Sequence, residues 1–351
     1  MDYSKTYQKL IKEFPNLEIY QNHLLAPYTT LKIGGPVDIF IKTKNDFQFK
    51  SILKDLNNLP ITILGNGSNV LISDSGIRGI VIKPSSQKID ILNKHSLASS
   101  DLKPAISSRR TENEPEKYLN FQDIDYNESQ NPTVKVKISA GVSLPYAINF
   151  LINQGITGLQ WFAYIPGTIG GAIICNIHGG HYHFSDYIEE IRAFDLKSQK
   201  FIVFNKSDLK WDYGQSYFQQ HPNLVIFSVT LKLFLGDKDK AKLVVQTWIQ
   251  QKIKVQLMNS AGSVFKNPSL KDCFAVWGEQ KSAGWIIDHE LNWKGKTING
   301  AQISQKHANI IINTGHATAQ DYYTLAQSIK QEIKNRFNID LEMEVKLLGE
   351  F

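Results

Sequence analysis

Two glycine-rich stretches place the tightest limit on what this chain can fold into. The first, Leu64, Gly65, Asn66, Gly67, Ser68, Asn69 and Val70, sets two glycines and small polar residues between two strand-like runs. The second, Ile165, Pro166, Gly167, Thr168, Ile169, Gly170, Gly171 and Ala172, has three glycines within five residues, just ahead of an apolar run. Glycine lets a backbone turn sharply and approach a ligand, and free N–H groups in such a turn, with Ser68, can donate to phosphate oxygens. Three glycines so close together destabilise a helix or strand unless a ligand or close packing uses the space. Each stretch also has a plainer reading. The first can be a β-turn closing a hairpin, and the second a corner packed on another backbone. Neither is a GxGxxG fingerprint or a P-loop, so those folds are not implied. Roughly 100 residues apart, the two together suit a dinucleotide held between halves of one domain.

The flanking pattern is mixed. Strand-like runs are expected at residues 37–42, 61–64, 70–72 and 79–82, with a helix at about 45–56. Residues 85–133 are rich in Ser, Asn, Asp, Glu and Lys and hold no apolar period. They read as a surface insertion or partly disordered loop, since little apolar burial offsets their ordering entropy. Strand character returns at 134–138, followed by a helix at about 144–153 and strands near 188–195, 199–204 and 224–233. Helices are expected at 238–256 and 319–336, and residues 341–347 alternate as a half-buried strand does. The N-terminus reads as an amphipathic helix with Tyr7, Leu10, Ile11 and Phe14 on one face. The chain is therefore α+β, with an early β-rich lobe and a later mixed one.

Composition removes several classes of function. A length of 351 residues suits two or three domains, and 42% hydrophobic residues provide a real core. No run approaches the roughly 18 apolar residues of a membrane span, and no signal-peptide core opens the chain. Cys175 and Cys273 stand far apart and form no CxxC, which argues against a disulfide framework or cysteine zinc site and favours a reducing cytoplasm. The net charge of +6 suits anionic partners such as nucleotides. Its basic residues are scattered without a nucleic-acid-binding motif, so nucleic acid is not expected as a partner.

The order of motifs carries more. TTLKIGGPVD (29–38), LGNGSNVLISDSGIRGIVIK (64–83), SAGVSLPYAINFLINQGITGL (139–159), IPGTIGGAIICN (165–176), SAGSVFKNP (260–268), SAGWIID (282–288), ISQKHANIIINTGHATAQD (303–321) and LEMEV (341–345) follow one another. In that order they resemble the UDP-N-acetylenolpyruvoylglucosamine reductase (UDP-N-acetylmuramate dehydrogenase) family. The resemblance covers about residues 20–349, outside the 85–133 insertion. SAGSVFKNP and KHANIIIN are its specific parts, whereas the glycine loops occur across a wider superfamily of FAD-binding oxidases and reductases. The short gap between Ser216 and Ser260 is similar to the subtype lacking an extra substrate-covering loop.

The resemblance implies a two-part FAD-binding domain of the PCMH/vanillyl-alcohol-oxidase type and a smaller α/β substrate-binding domain. The implied boundaries are 1–24 for an N-terminal helix and lead-in, 25–84 and 134–236 for the two FAD-binding subdomains around the insertion, and 237–351 for the substrate domain. The last strand would pack back towards the FAD site. The family uses NADPH and FAD to reduce a UDP-sugar enolpyruvyl ether in cytoplasmic peptidoglycan precursor synthesis, and a monomer is expected. Gly65, Asn66, Gly67, Ser68, Asn69, Pro166, Gly167, Thr168, Gly170, Gly171 and Asn176 would then bind FAD.

Ser263 falls at the position of the family's serine proton donor, although a serine after glycine in itself suggests a turn residue. Glu344 falls at its second catalytic position, and Glu342, on the same face of the expected strand, reads as solvated. Tyr213, Ser216, Lys266 and Asn267 would contact the substrate; a plain loop remains open for the last two.

Two departures stand out. The family's Tyr-Arg-x-Ser is here Tyr213, Gly214, Gln215 and Ser216, so its arginine is missing, and Lys210, Lys252, Lys254 and Lys266 are candidate replacements. The family's Gly-Ala-Tyr-Gly run is here His178, Gly179, Gly180 and His181. His178, His181 and His183 lack a completing carboxylate or cysteine motif, so flavin or phosphate contacts are expected there and a metal is not. A flavin-dependent oxidoreductase with another substrate, and a non-catalytic flavin- or nucleotide-binding relative, are the other readings that this pattern allows.

Overall fold

A computed structural model of the chain describes residues 3–56, 59–93, 128–255 and 259–351. Helix α1 (Tyr3–Glu13) leads into strands β1 (Glu18–Leu24) and β2 (Pro36–Thr43). Next come α2 (Asp46–Asp55), β3 (Ile61–Ile63), β4 (Val70–Ile72) and β5 (Ile77–Pro84). These elements build a four-stranded sheet in the order β1-β2-β5-β3, in which β2, β5 and β3 run parallel. The central strands β2 and β5 read as nearly unbroken Ile, Val and Phe because both faces are covered, as in other buried parallel sheets. Asn45 starts α2 by accepting the Gln48 N–H at 3.0 Å, a side-chain cap of a common kind.

A second, antiparallel sheet contains β6 (Ile89–Asn93), β7 (Thr133–Ser139), β8 (Ile156–Thr157), β11 (Ile188–Asp195), β12 (Lys200–Asn205) and β15 (Leu224–Leu235). Helices α3 (Leu144–Asn153) and α4 (Ile169–Ile174) pack on its inner face, where Val136, Ile138, Ile148, Leu151, Leu231 and Leu233 share one core. Its other face meets the first sheet, with Phe194, Val225 and Phe227 joining Ile39, Phe49 and Ile80. Two small hairpins project from this region: β9 (His178–Gly179) with β10 (Tyr182–His183), and β13 (Trp211–Asp212) with β14 (Gln215–Ser216). Helix α5 (Lys238–Val255) leaves the sheet.

The last part contains α6 (Leu270–Trp277), α7 (Ala283–Trp285) and a three-stranded sheet of β16 (Thr297–Ile298), β17 (Ala301–Ile303) and β18 (Ile311–Asn313). Helix α8 (Ala319–Phe337) follows, and Tyr322, Leu325, Ile329 and Ile333 bury its inner face. Finally β19 (Lys346–Leu348) runs parallel to β4.

Most expected elements lie where the sequence puts them; the residues of α3 and β11 coincide with the expected ranges. Three expectations change. The polar stretch 85–133 opens with an edge strand, β6, because Ile89 and Ile91 pack against the core of the second sheet. Towards its end Glu128 is buried and accepts the Gln160 amide at 2.6 Å, while residues 94–127 lie outside the described residues. Residues 341–345 are extended with a single bridge, Phe265 to Met343, and ladder pairing begins only at Lys346. Most notably, the second glycine stretch enters a helix, and Gly170 and Gly171 occupy the first turn of α4. Thr168 caps that turn by accepting the Gly171 N–H at 3.2 Å, and a Cβ on Gly170 would lie 3.1 Å from Ala140 Cβ. Close packing thus uses the space that the glycines leave, and offsets their low helix propensity.

Candidate active site

The first glycine loop does not close a hairpin, because its flanking strands belong to different sheets: β3 pairs with β5, and β4 with β19. Gly67 has φ +60°, and a Cβ there would lie 2.3 Å from the Tyr28 carbonyl oxygen. Thr30 N–H donates to Gly67 O at 3.0 Å, so the loop is held against residues 28–30.

The two glycine loops meet. Asn66 Nδ2 donates to Gly167 O at 3.1 Å, and a Cβ on Gly65 would come within 2.7 Å of Thr168 Oγ1. Gly167 is loosely surrounded: Ser68 Oγ and Ile165 Cγ2 each lie 4.0 Å from where its Cβ would be. The Ser68 hydroxyl has no hydrogen-bond partner among the described residues. Two backbone loops that meet at a free hydroxyl and a glycine offer the donors that suit a pyrophosphate group.

Lys83, which sequence reasoning did not single out, braces this arrangement. Its Nζ donates to Gly65 O and approaches Asn66 Oδ1 at 3.3 Å. Burial, with Lys42 nearby, pulls its ammonium down to about 8. Only a feature such as a lysine ending an apolar strand could have hinted at it.

At the other end of the cleft, the 260–268 loop is bound to the C-terminal segment. Glu344 N–H donates to Val264 O at 2.8 Å, and Lys266 N–H to Glu342 O at 2.9 Å. Asn309 holds the same loop from behind, accepting from Phe265 N–H at 3.0 Å and donating to Phe265 O at 2.8 Å. Asn69 ties the segment to the first glycine loop, because its amide donates to Glu344 O at 3.3 Å and its carbonyl accepts Lys346 N–H at 3.0 Å. Ser263 is half-buried with a hydroxyl free of partners among the described residues. Beside it Gly262 has nothing within 4 Å of its missing Cβ, so open space adjoins the loop at that residue.

The two glutamates diverge in environment. Glu342 is largely exposed and pairs with Lys266 Nζ at 2.6 Å. The Glu344 carboxyl lies deeper, and burial raises it to about 7 despite the opposing charges of Lys266 and Lys346. A carboxylic acid near neutrality can hold or release a proton under ordinary conditions.

A second wall comes from the hairpins. The Tyr213 ring lies 5.0 Å from the His178 ring, and His178 lies 6.4 Å from His183. Crowding by neighbouring protein atoms, then the charge of Lys252 and the neighbouring His183, holds His178 below its usual 6.5 although its ring keeps contact with solvent, so it is neutral at pH 7. Gly214 turns between β13 and β14 at φ +63°, and its missing Cβ would lie 3.5 Å from Lys266 Cε. Among the described residues no group of three His, Cys, Asp or Glu side chains is placed to hold a metal ion.

The remaining candidates are held by the protein itself. The Asn176 amide donates to Asp212 O at 3.0 Å and accepts from Ser185 N–H at 3.1 Å. The Ser216 hydroxyl donates to Ile174 O at 2.8 Å, and Asn267 Oδ1 accepts Ala283 N–H at 3.1 Å. These three shape the loops around the cleft.

Comparison with known proteins places the chain in a family. Residues 251–348 match the family model for the UDP-N-acetylenolpyruvoylglucosamine reductase C-terminal domain, and residues 115–199 match an FAD binding domain. The chain is 32% identical over 342 residues to the UDP-N-acetylenolpyruvoylglucosamine reductase of Acaryochloris marina, covering 96% of this chain and 94% of that one. This chain belongs to the UDP-N-acetylenolpyruvoylglucosamine reductase family. The reductase of Listeria welshimeri is 31% identical over 349 residues, covering 97% of this chain and 99% of that one. The crystal structure of the Thermus caldophilus UDP-N-acetylenolpyruvylglucosamine reductase superposes with a TM-score of 0.68 at 25% identity, covering 95% of this chain and 99% of that one. The reductase family's architecture, an FAD-binding domain followed by a separate C-terminal domain in a mixed α+β fold, is that of this chain. No described helix is long and apolar enough to cross a membrane.

Proposed function

We propose that this protein reduces UDP-N-acetylglucosamine enolpyruvate to UDP-N-acetylmuramate, with NADPH as hydride source and FAD as carrier. The observation that carries this reading is the backbone bond between Glu344 and Val264, which sets an acid poised near neutrality beside the Ser263 loop. The Ser68 hydroxyl and the Gly167 backbone would receive the FAD pyrophosphate, with Asn66 and Thr168 joining the two loops and Lys83 bracing them. Bound FAD would supply hydride to C3 of the enolpyruvyl group.

The chain's own residues would then manage charge and protons. Hydride arrival at C3 pushes electron density onto the substrate carboxylate, and Lys266, beside Gly214, offers a cation for it. Of the four candidate replacements for the family's arginine, Lys266 alone is within 4 Å of where a side chain at 214 would start. Its pairing with the exposed Glu342 fixes the direction of its long side chain. Ser263 would donate the proton to C2, and Glu344 would orient the acid or restore the proton. Tyr213 and the neutral His178 would contact the sugar nucleotide. Anaerobic mixing with NADPH and then with UDP-N-acetylglucosamine enolpyruvate tests the reading. The flavin absorbance should bleach and then return, and a flavin that bleaches but is not reoxidised by this substrate overturns it.

A further inference from the structure

Away from the active-site residues, α2 and the outer face of the antiparallel sheet flank an open cavity of about 230 Å³. Four cations and two carboxylates line it, a surplus of two positive charges. Both carboxylates are already engaged: Asp46 accepts from Ser139 Oγ at 2.5 Å, and Asp90 pairs with Lys88 at 3.5 Å. The other three cations have no carboxylate partner among the described residues. Arg192 Cζ lies over Phe201, 4.0 Å from the ring centroid, a contact that holds its guanidinium in place. Lys50 approaches the same ring at 5.9 Å, and the Lys137 side chain makes no hydrogen bond or ion pair among the described residues.

A hydroxyl completes the wall. The Ser228 side chain lines the cavity and makes no hydrogen bond with another described residue, so it can donate to or accept from a ligand there. Phe47 stands at the rim with 77% of its surface exposed, an unusual cost for a phenyl ring beside lysines. The cavity draws no residue from either glycine loop or from the Ser263 and Glu344 segments.

We propose that this cavity binds a phosphate-bearing small molecule, whose phosphate meets Arg192, Lys137, Lys50 and Ser228 while its ring lies on Phe47. A phosphate dianion matches the charge surplus, and planar guanidinium recognition suits its geometry. The volume exceeds what inorganic phosphate alone fills, which leaves room for part of an attached ring.

Isothermal titration of the purified protein with adenosine 5′-monophosphate, inorganic phosphate and adenosine tests this. The monophosphate should bind saturably at one site, phosphate more weakly, and adenosine not measurably. Arg192→Gln and Lys137→Gln should each weaken the monophosphate about tenfold or more, and Ser228→Ala several-fold, whereas Lys271→Gln on α6 should change nothing. Arg192→Gln also removes a ring contact, so if it misfolds, Lys137→Gln and Ser228→Ala decide by themselves. Binding indifferent to those two variants, or adenosine binding as tightly as the monophosphate, overturns the proposal. So does stoichiometric displacement by FAD, which would assign the cavity to the cofactor.

Discussion

Lys266 Cε lies 3.5 Å from the point where a Cβ on Gly214 would sit, so the side chain of one loop covers the bare backbone of the other. The two residues are 52 positions apart, and the contact joins the β13–β14 turn to the loop that carries Ser263. A lysine can thus provide charge where its own neighbour in the hairpin cannot.

Replacing Gly214 with Arg is expected to give no gain in turnover. Two cations at one site repel, and φ +63° is costly for any side chain but glycine's, by about 1 kcal/mol or more. Denaturant unfolding should show that loss, and stopped-flow reoxidation should be equal or slower. A tenfold faster reoxidation would mean that Lys266 does not fill the role.

Ser263→Ala should separate the two half-reactions. Flavin reduction by NADPH needs no proton from a serine, so bleaching should stay within a few-fold of the parent. Reoxidation by the enolpyruvyl substrate should slow by about 10²–10⁴, the usual span for a lost general acid. Equal slowing of both phases would make Ser263 structural.

Glu344 gives a pH signature. Its folded value of about 7 lies above the 4.5 of a free carboxyl, so the folded state holds the proton longer than the unfolded one. The stability this contributes is complete below about 4.5 and falls away as pH rises towards 7. Glu344→Gln should flatten that decline in unfolding experiments across the same window. It should also remove an inflection near 7 in the reoxidation rate, and an inflection that survives the substitution would assign it to another group.

Lys83 behaves in the opposite sense. Its folded value of about 8 lies below the usual 10.5, so the unfolded chain binds the proton more tightly between those two values. Stability should therefore rise with pH from about 8 towards 10.5, and Lys83→Met should abolish the rise. The same variant loses the brace on Gly65 and Asn66, and its FAD affinity, read by flavin fluorescence, should fall about tenfold. Unchanged affinity would show that the loop holds its shape without the lysine.

Local rules were enough for much of this molecule. Asn45 before α2 and the apolar spacing of α3 each act within a few residues, so such helix ranges follow from the sequence directly. Both glycine loops could likewise be picked out as candidate sites, whereas Ser263 and Glu344 became candidates only through the family resemblance. Spacing could not say that Gly170 and Gly171 begin a helix, since that depends on Ala140 across the interface. Nor could it choose Lys266 among four lysines, find Lys83 beneath Gly65, or place Glu344 near neutrality. Asn69 and Glu344, which touch across 275 residues, illustrate why. Secondary structure is set by neighbours along the chain, whereas proximity of charge, desolvation and the shape of a cleft are set by atoms that only folding brings together.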